Sequence, residues 1–140
     1  MRRRLPVFTL ALALVAGDGT TTAPDLDAPL VATAPRTVAL GAPVPVEIAN
    51  LGIAQVEAGA CNGVIERQVA DRWVTTFDPA GQPCILLLRV LRPGDRITHT
   101  LPAPSEAGTY RARHRWWTRE GTVVESVSNP FEVGVRTFRD

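Results

Sequence analysis

Residues 105–117, Ser-Glu-Ala-Gly-Thr-Tyr-Arg-Ala-Arg-His-Arg-Trp-Trp, limit what this chain can fold into more than any other stretch. An acidic, glycine-containing corner runs directly into a period-two alternation with Tyr110 at its start. Alternation at that period marks a strand with one buried and one open face. A tyrosine at the entry of such a strand can turn its hydroxyl back to the backbone a few residues upstream. That bond fixes how the chain passes between two stacked sheets. The pattern predicts that Tyr110, Ala112, His114 and Trp116 face a core. Arg111, Arg113, Arg115 and Trp117 then line the opposite face.

The remainder of the chain is punctuated in the same style. Its twelve Pro and eleven Gly are spread out, which fits many short strands joined by turns better than helices. Strands are expected at Thr37 to Leu40, with Val31 to Thr33 as a possible forerunner, and at Val44 to Asn50, where Val44, Val46 and Ile48 share one face. Further strands are expected at Ile53 to Cys61, Val64 to Val69 and Trp73 to Phe77. Asn62-Gly63 reads as a two-residue hairpin turn. Cys84 to Leu91 is the most apolar run; with Cys84 inward, Leu86, Leu88 and Val90 follow it, and Ile85, Leu87 and Arg89 face away. Arg96 to Leu101 alternates, with Ile97, His99 and Leu101 on one side. Thr109 to Thr118, Val123 to Ser128 and Phe131 to Val135 complete the set, with a bulge expected at Asn129-Pro130. Pro35 and Pro43 suit the first of these strands to an edge. A length of 140 residues allows one domain.

The ordered set Val-Pro-Val-Glu-Ile-Ala-Asn, a Cys in the third strand, Trp73, Cys84-Ile-Leu-Leu-Leu, Leu91-Arg-Pro-Gly-Asp, Ala107-Gly-Thr-Tyr-Arg and Ser128-Asn-Pro-Phe-Glu-Val resembles a bacterial immunoglobulin-like domain of exported proteins. The resemblance covers residues 35–135. It implies an all-β, antiparallel immunoglobulin-like β-sandwich and no catalytic residues. An antibody-type domain places its second Cys two residues after the corner tyrosine, and Ala112 stands there.

Residues 1–17 read as a secretion signal: Arg2, Arg3 and Arg4, an apolar run from Leu5 to Ala16, then small residues at Val15-Ala16-Gly17. A lipoprotein signal would need Cys at position 18, where Asp18 stands. Residues 18–30 form a polar, proline-punctuated linker, and 31–140 the sandwich domain. An exported chain, periplasmic or extracellular, is expected, touching a membrane only through residues 1–17 if they stay attached. Removing those residues takes away three of fifteen basic residues and none of fourteen acids. The formal balance then moves from +1 to −2, which argues against nucleic acid as a partner. An oxidising compartment favours a structural disulfide between Cys61 and Cys84. A loop of that length stabilises a fold by roughly 3 kcal/mol on the chain-entropy account.

The catalytic inventory is thin. His99 and His114 are the two histidines, both on expected inward faces. No nucleophile-elbow pattern accompanies them, and two histidines rarely complete a zinc site without a third protein ligand. The acids sit in separate turns, with no DxDxD-type run for calcium. Neither catalysis, a metal nor a cofactor is expected. The candidate binding residues are Arg111, Arg113, Arg115 and Trp117, extended by Arg119. A cationic row ending in an aromatic suits a protein or cell-envelope polymer that carries negative charge. The plainer reading is a solvated face whose charges are offset by cross-strand partners such as Glu125 and Glu132. Ile85 and Leu87 form a second, apolar candidate patch, or lie beneath a loop or the linker. The expected function is a non-catalytic structural or protein-interaction module. A carbohydrate-binding module using Trp117, with Trp73 as a second aromatic, and a protease inhibitor acting through the loop at 78–83 are the alternatives.

Overall fold

The computed structural model describes residues 30–59, 61–80, 82–83 and 87–134. The expected signal at 1–17, the linker up to residue 29, and Ile85 lie outside the described residues. So does Cys84, and with it the expected bridge to Cys61.

Among the described residues there are eleven strands: β1 (Leu30–Thr33), β2 (Thr37–Ala39), β3 (Val44–Asn50), β4 (Val56–Gly59), β5 (Gly63–Val69), β6 (Arg72–Phe77), β7 (Leu88–Leu91), β8 (Arg96–Leu101), β9 (Gly108–Thr118), β10 (Val123–Val127) and β11 (Phe131–Gly134). The small sheet has the order β1-β3-β8. The large sheet is built around β9, the longest strand. One side of β9 takes β5 and then β4, with β6 beyond β5 and β7 beyond β4. The other takes β10 and β11, with β2 beyond β11. All pairings are antiparallel except β2 with β11. The molecule is an immunoglobulin-like β-sandwich.

Alternation explains how the sheets close on one another. Val44, Val46 and Ile48 on β3 are fully buried, and Ile97, His99 and Leu101 on β8 point the same way. Opposite them stand Tyr110, Ala112, His114 and Trp116 of β9, none more than 2% exposed. Tyr110 Oη donates to the carbonyl oxygen of Glu106 at 2.8 Å, so the corner forms as its sequence predicts. Its ring stacks on Phe131, with centroids 6.1 Å apart. Ala112 is buried where an antibody-type domain would carry its cysteine. Its N–H is bound by Ser128 Oγ at 2.9 Å.

The chain crosses from the small sheet to the large one between β1 and β2. Asn129 holds that crossing: its Oδ1 accepts from Ala34 N–H, and its Nδ2 donates to Ala34 O, both at 3.0 Å. The break expected at Asn129-Pro130 therefore separates β10 from β11 and also pins the opposite edge of the sandwich.

Three expectations are corrected. First, Asn62-Gly63 is not a hairpin. β4 and β5 both run antiparallel to β9, Glu57 opposite Trp117 and Gly63 opposite His114, so they follow one another in the same direction. Asn62 steps the chain along β9, donating Nδ2 to Arg115 O at 2.9 Å. Gly63 lacks the positive φ that a two-residue turn would demand. It is needed for closeness instead: a Cβ there would lie 2.5 Å from Leu101 Cδ2 and 2.8 Å from His114 Nε2. Second, β4 begins only at Val56, and Ile53, 81% exposed, sits in the bend after β3. Third, β7 has the opposite parity. Leu88 and Val90 face out, while Arg89 is half-buried and Leu91 fully buried. A continuous apolar run carries no alternation of its own. The face is set by pairing, with Ala58 opposite Arg89 and Val56 opposite Leu91.

Candidate functional site

The outward face of the large sheet brings Arg111, Arg113, Arg115 and Trp117 together in one row along β9. The row is ordered by carboxylates from both neighbouring strands. Glu66 on β5 stands opposite Arg111 and divides its two oxygens: Oε2 accepts from Arg111 Nε at 2.6 Å, and Oε1 from Arg113 Nε at 3.0 Å. Its side chain is 8% exposed. The two charge-assisted bonds offset the cost of taking this side chain so far out of water. On the other side, Glu125 of β10 receives Arg113 Nη1 at 3.3 Å and Arg115 Nη2 at 3.2 Å through a single oxygen, Oε1. At the far end the Arg111 guanidinium lies over the Trp73 ring, 4.5 Å from its centroid.

Glu125 is thus the cross-strand partner expected from the sequence. Glu132 is not: its Oε1 accepts from Thr109 Oγ1 at 2.8 Å. Glu66 was missed. An alternating strand shows which face a residue occupies, but nothing in Val64 to Val69 shows that β5 lies beside β9. Three guanidiniums share two carboxylates in this row, and a third carboxylate, Asp78, lines a cleft beside Arg113 and Arg115. Arg115 is the most exposed of the three and is held only by Glu125, through contacts of 3.2 and 3.4 Å.

A cleft of about 330 Å³ opens beside Arg115. Arg113, Arg115 and Trp117 of β9 line it together with Asn62 and Val64. Asp78, Pro79 and Ala80 fold over it from the end of β6. The turn at 78–80 is held by Asp78 Oδ1, which accepts from Ala80 N–H at 2.8 Å. Trp117 is 40% exposed. The loop singled out as an inhibitor-type loop therefore lines this cleft with its first three residues.

The two histidines are close together but lie on different sheets. His99 Nδ1 on β8 and His114 Nε2 on β9 are 2.9 Å apart across the interior, with ring centroids 5.0 Å apart. The facing nitrogens point at each other nearly end-on, as in an N–H···N bond. Burial is the main force pushing both below the usual histidine range, His114 to about 3. The Arg89 guanidinium acts in the same direction on both, and His99 on His114. Among the described residues no group of three or more His, Cys, Asp or Glu could hold a metal ion.

No family model matches the chain, and no curated protein matches it. Among solved structures, murine CRIg is similar over 77% of this chain and 98% of its own, at 15% identity and a TM-score of 0.42. A Bordetella pertussis protein designated ApaA is similar over 81% of this chain and 96% of its own, at 18% identity and a TM-score of 0.44.

Proposed function

We propose that this chain is a non-catalytic binding module of the bacterial exported immunoglobulin-like kind. It engages a negatively charged protein or cell-envelope polymer through the outer face of the large sheet. The observation that carries this reading is the aligned row of Arg111, Arg113 and Arg115 between Trp73 and Trp117, with its most exposed and most loosely held guanidinium, Arg115, at the mouth of a cleft. Cations fixed by neighbours lose little freedom when they bind, which favours recognition over a merely solvated face. The histidine pair supports a module without chemistry: each ring bonds the other inside the core, and neither faces the cleft.

Export rests on residues 1–17, and the cysteine pair at 61 and 84 fits an oxidising compartment. Residues 78–80 line the cleft beside Arg115, which ties this loop to the arginine row rather than to an inhibitor role of its own.

The test is retention of the exported chain on the cell-envelope fraction, parent against Arg115→Glu and Trp117→Ala. Both side chains are exposed enough that the fold tolerates them. Parent retention that falls at least tenfold in Arg115→Glu and weakens with salt supports the reading. Equal retention of parent and Arg115→Glu overturns it.

A further inference from the structure

The cleft itself specifies its occupant more narrowly than the charged face does. Its volume, about 330 Å³, lies at the small end of ligand pockets, room for one ring with substituents rather than for a folded partner. Its walls are chemically unequal. Trp117 offers a flat aromatic face, 40% exposed. Arg115 offers a planar donor fork, held only by contacts of 3.2 and 3.4 Å to one exposed oxygen of Glu125. Asn62 and Asp78 offer acceptors. Asn62 commits its amide nitrogen to Arg115 O, and Asp78 commits Oδ1 to Ala80 N–H. The remaining oxygen of each has no hydrogen-bond partner among the described residues.

A ligand matching this set needs an apolar ring face, one planar anion and at least two hydrogen-bond donors. A neutral sugar lacks the anion. An acidic side chain has the anion, but the same residue carries neither a ring face for Trp117 nor hydroxyl donors for the half-buried Asn62 and the exposed Asp78. A sugar acid has all three.

Resting on the anionic-partner reading above, we propose that this cleft binds a uronic-acid unit of a polysaccharide. The ring lies over Trp117, the carboxylate takes the fork of Arg115, and hydroxyls donate to Asn62 Oδ1 and Asp78 Oδ2. The ligand carboxylate displaces Glu125 from Arg115, an exchange of one ion pair for another that needs no movement of the sheet. Glu66 keeps Arg113 in place meanwhile.

The experiment titrates the full exported chain by calorimetry with three probes: a galacturonic-acid tetramer, the corresponding neutral galactose tetramer, and poly-glutamate. The uronate tetramer is expected to bind at least tenfold more tightly than either other probe. Trp117→Ala and Asn62→Ala are each expected to weaken it about tenfold, with thermal melting used to confirm that the variants fold. Poly-glutamate binding as tightly as the uronate, with Arg115→Glu abolishing both, overturns the sugar-acid assignment and leaves the anionic face standing. Neutral tetramer binding as tightly as the uronate overturns the role of Arg115. Failure of both anionic probes, together with envelope retention unaffected by Arg115→Glu, overturns the assignment and the reading beneath it.

Discussion

His99 and His114 join the two sheets through a single ring-to-ring bond of 2.9 Å inside the sandwich. Their neighbours make the pair an acid-sensitive joint. Arg89 of β7 faces it, Gly63 of β5 packs against both rings, and His114 Nδ1 has no partner among the described residues. Both histidines have depressed values in the folded state. The unfolded chain therefore binds more protons than the folded one below the ordinary histidine pKa near 6.5. Stability is fully present above that pH and is lost as pH falls, down to about 3 where His114 titrates in place. The expected slope is up to about 1.4 kcal/mol per pH unit for each histidine. Urea midpoints between pH 4 and 8 check it. A His99→Gln/His114→Gln variant should flatten the slope between pH 6.5 and 4.5, whatever its stability at pH 8.

Tyr110→Phe isolates the corner bond. The substitution removes only the hydroxyl that donates to Glu106 O and keeps the ring on Phe131. A net cost of about 1 kcal/mol is expected from the lost bond and the carbonyl left behind. Chemical denaturation reads it directly, and a cost near zero would mean that the loop at 102–107 is held without it, by Arg67 on Glu106 and Ala107 and by Gly41 N–H on Pro104 O.

Gly63→Ala tests whether the step between β4 and β5 is a close approach rather than a turn. The new methyl would meet Leu101, His114 and His99 at 2.5, 2.8 and 3.0 Å. Overpacking of that kind costs typically about 1–3 kcal/mol. Gly134→Ala is the control, since nothing lies within 4 Å of a Cβ there. A melting temperature lowered by the first and unmoved by the second is expected. A Gly63→Ala protein as stable as the parent would show that the sheets can separate locally without loss.

What the sequence makes legible and what it hides divide along one physical line. Side-chain direction is local, so the burial of Tyr110, Ala112, His114 and Trp116 and the bounds of β3 and β8 follow from alternation and flanking turns. Strand neighbours are not local. That β5 lies beside β9, which gives Glu66 its two arginines, depends on pairings forty or more residues apart. So does the face of Leu88, where alternation is silent. Asn62-Gly63 misleads because the same dipeptide serves a hairpin and a tight sheet-to-sheet contact. The face of the candidate site was readable, but the cleft was not, because it needs the loop at 78–80 to fold back over Arg115.

The two carboxylates of the arginine row should differ sharply when neutralised. Glu66 is 8% exposed and divides its oxygens between two guanidiniums, so Glu66→Gln leaves Arg111 without its counter-ion and Arg113 with Glu125 alone. A loss of about 2 kcal/mol is expected, in line with other charge-assisted bonds. Glu125 is 41% exposed and its contacts are 3.2 to 3.4 Å long. Exposed pairs of that kind contribute about 0–1 kcal/mol, so Glu125→Gln should barely move the urea midpoint. Its effect on binding should be opposite to that of a structural loss. With its internal competitor gone, Arg115 is free for an incoming carboxylate, and affinity for an anionic ligand should rise severalfold. Weaker binding by the Glu125→Gln protein, at unchanged stability, would place Glu125 among the groups that contact the ligand and remove Arg115 as the point of anion capture.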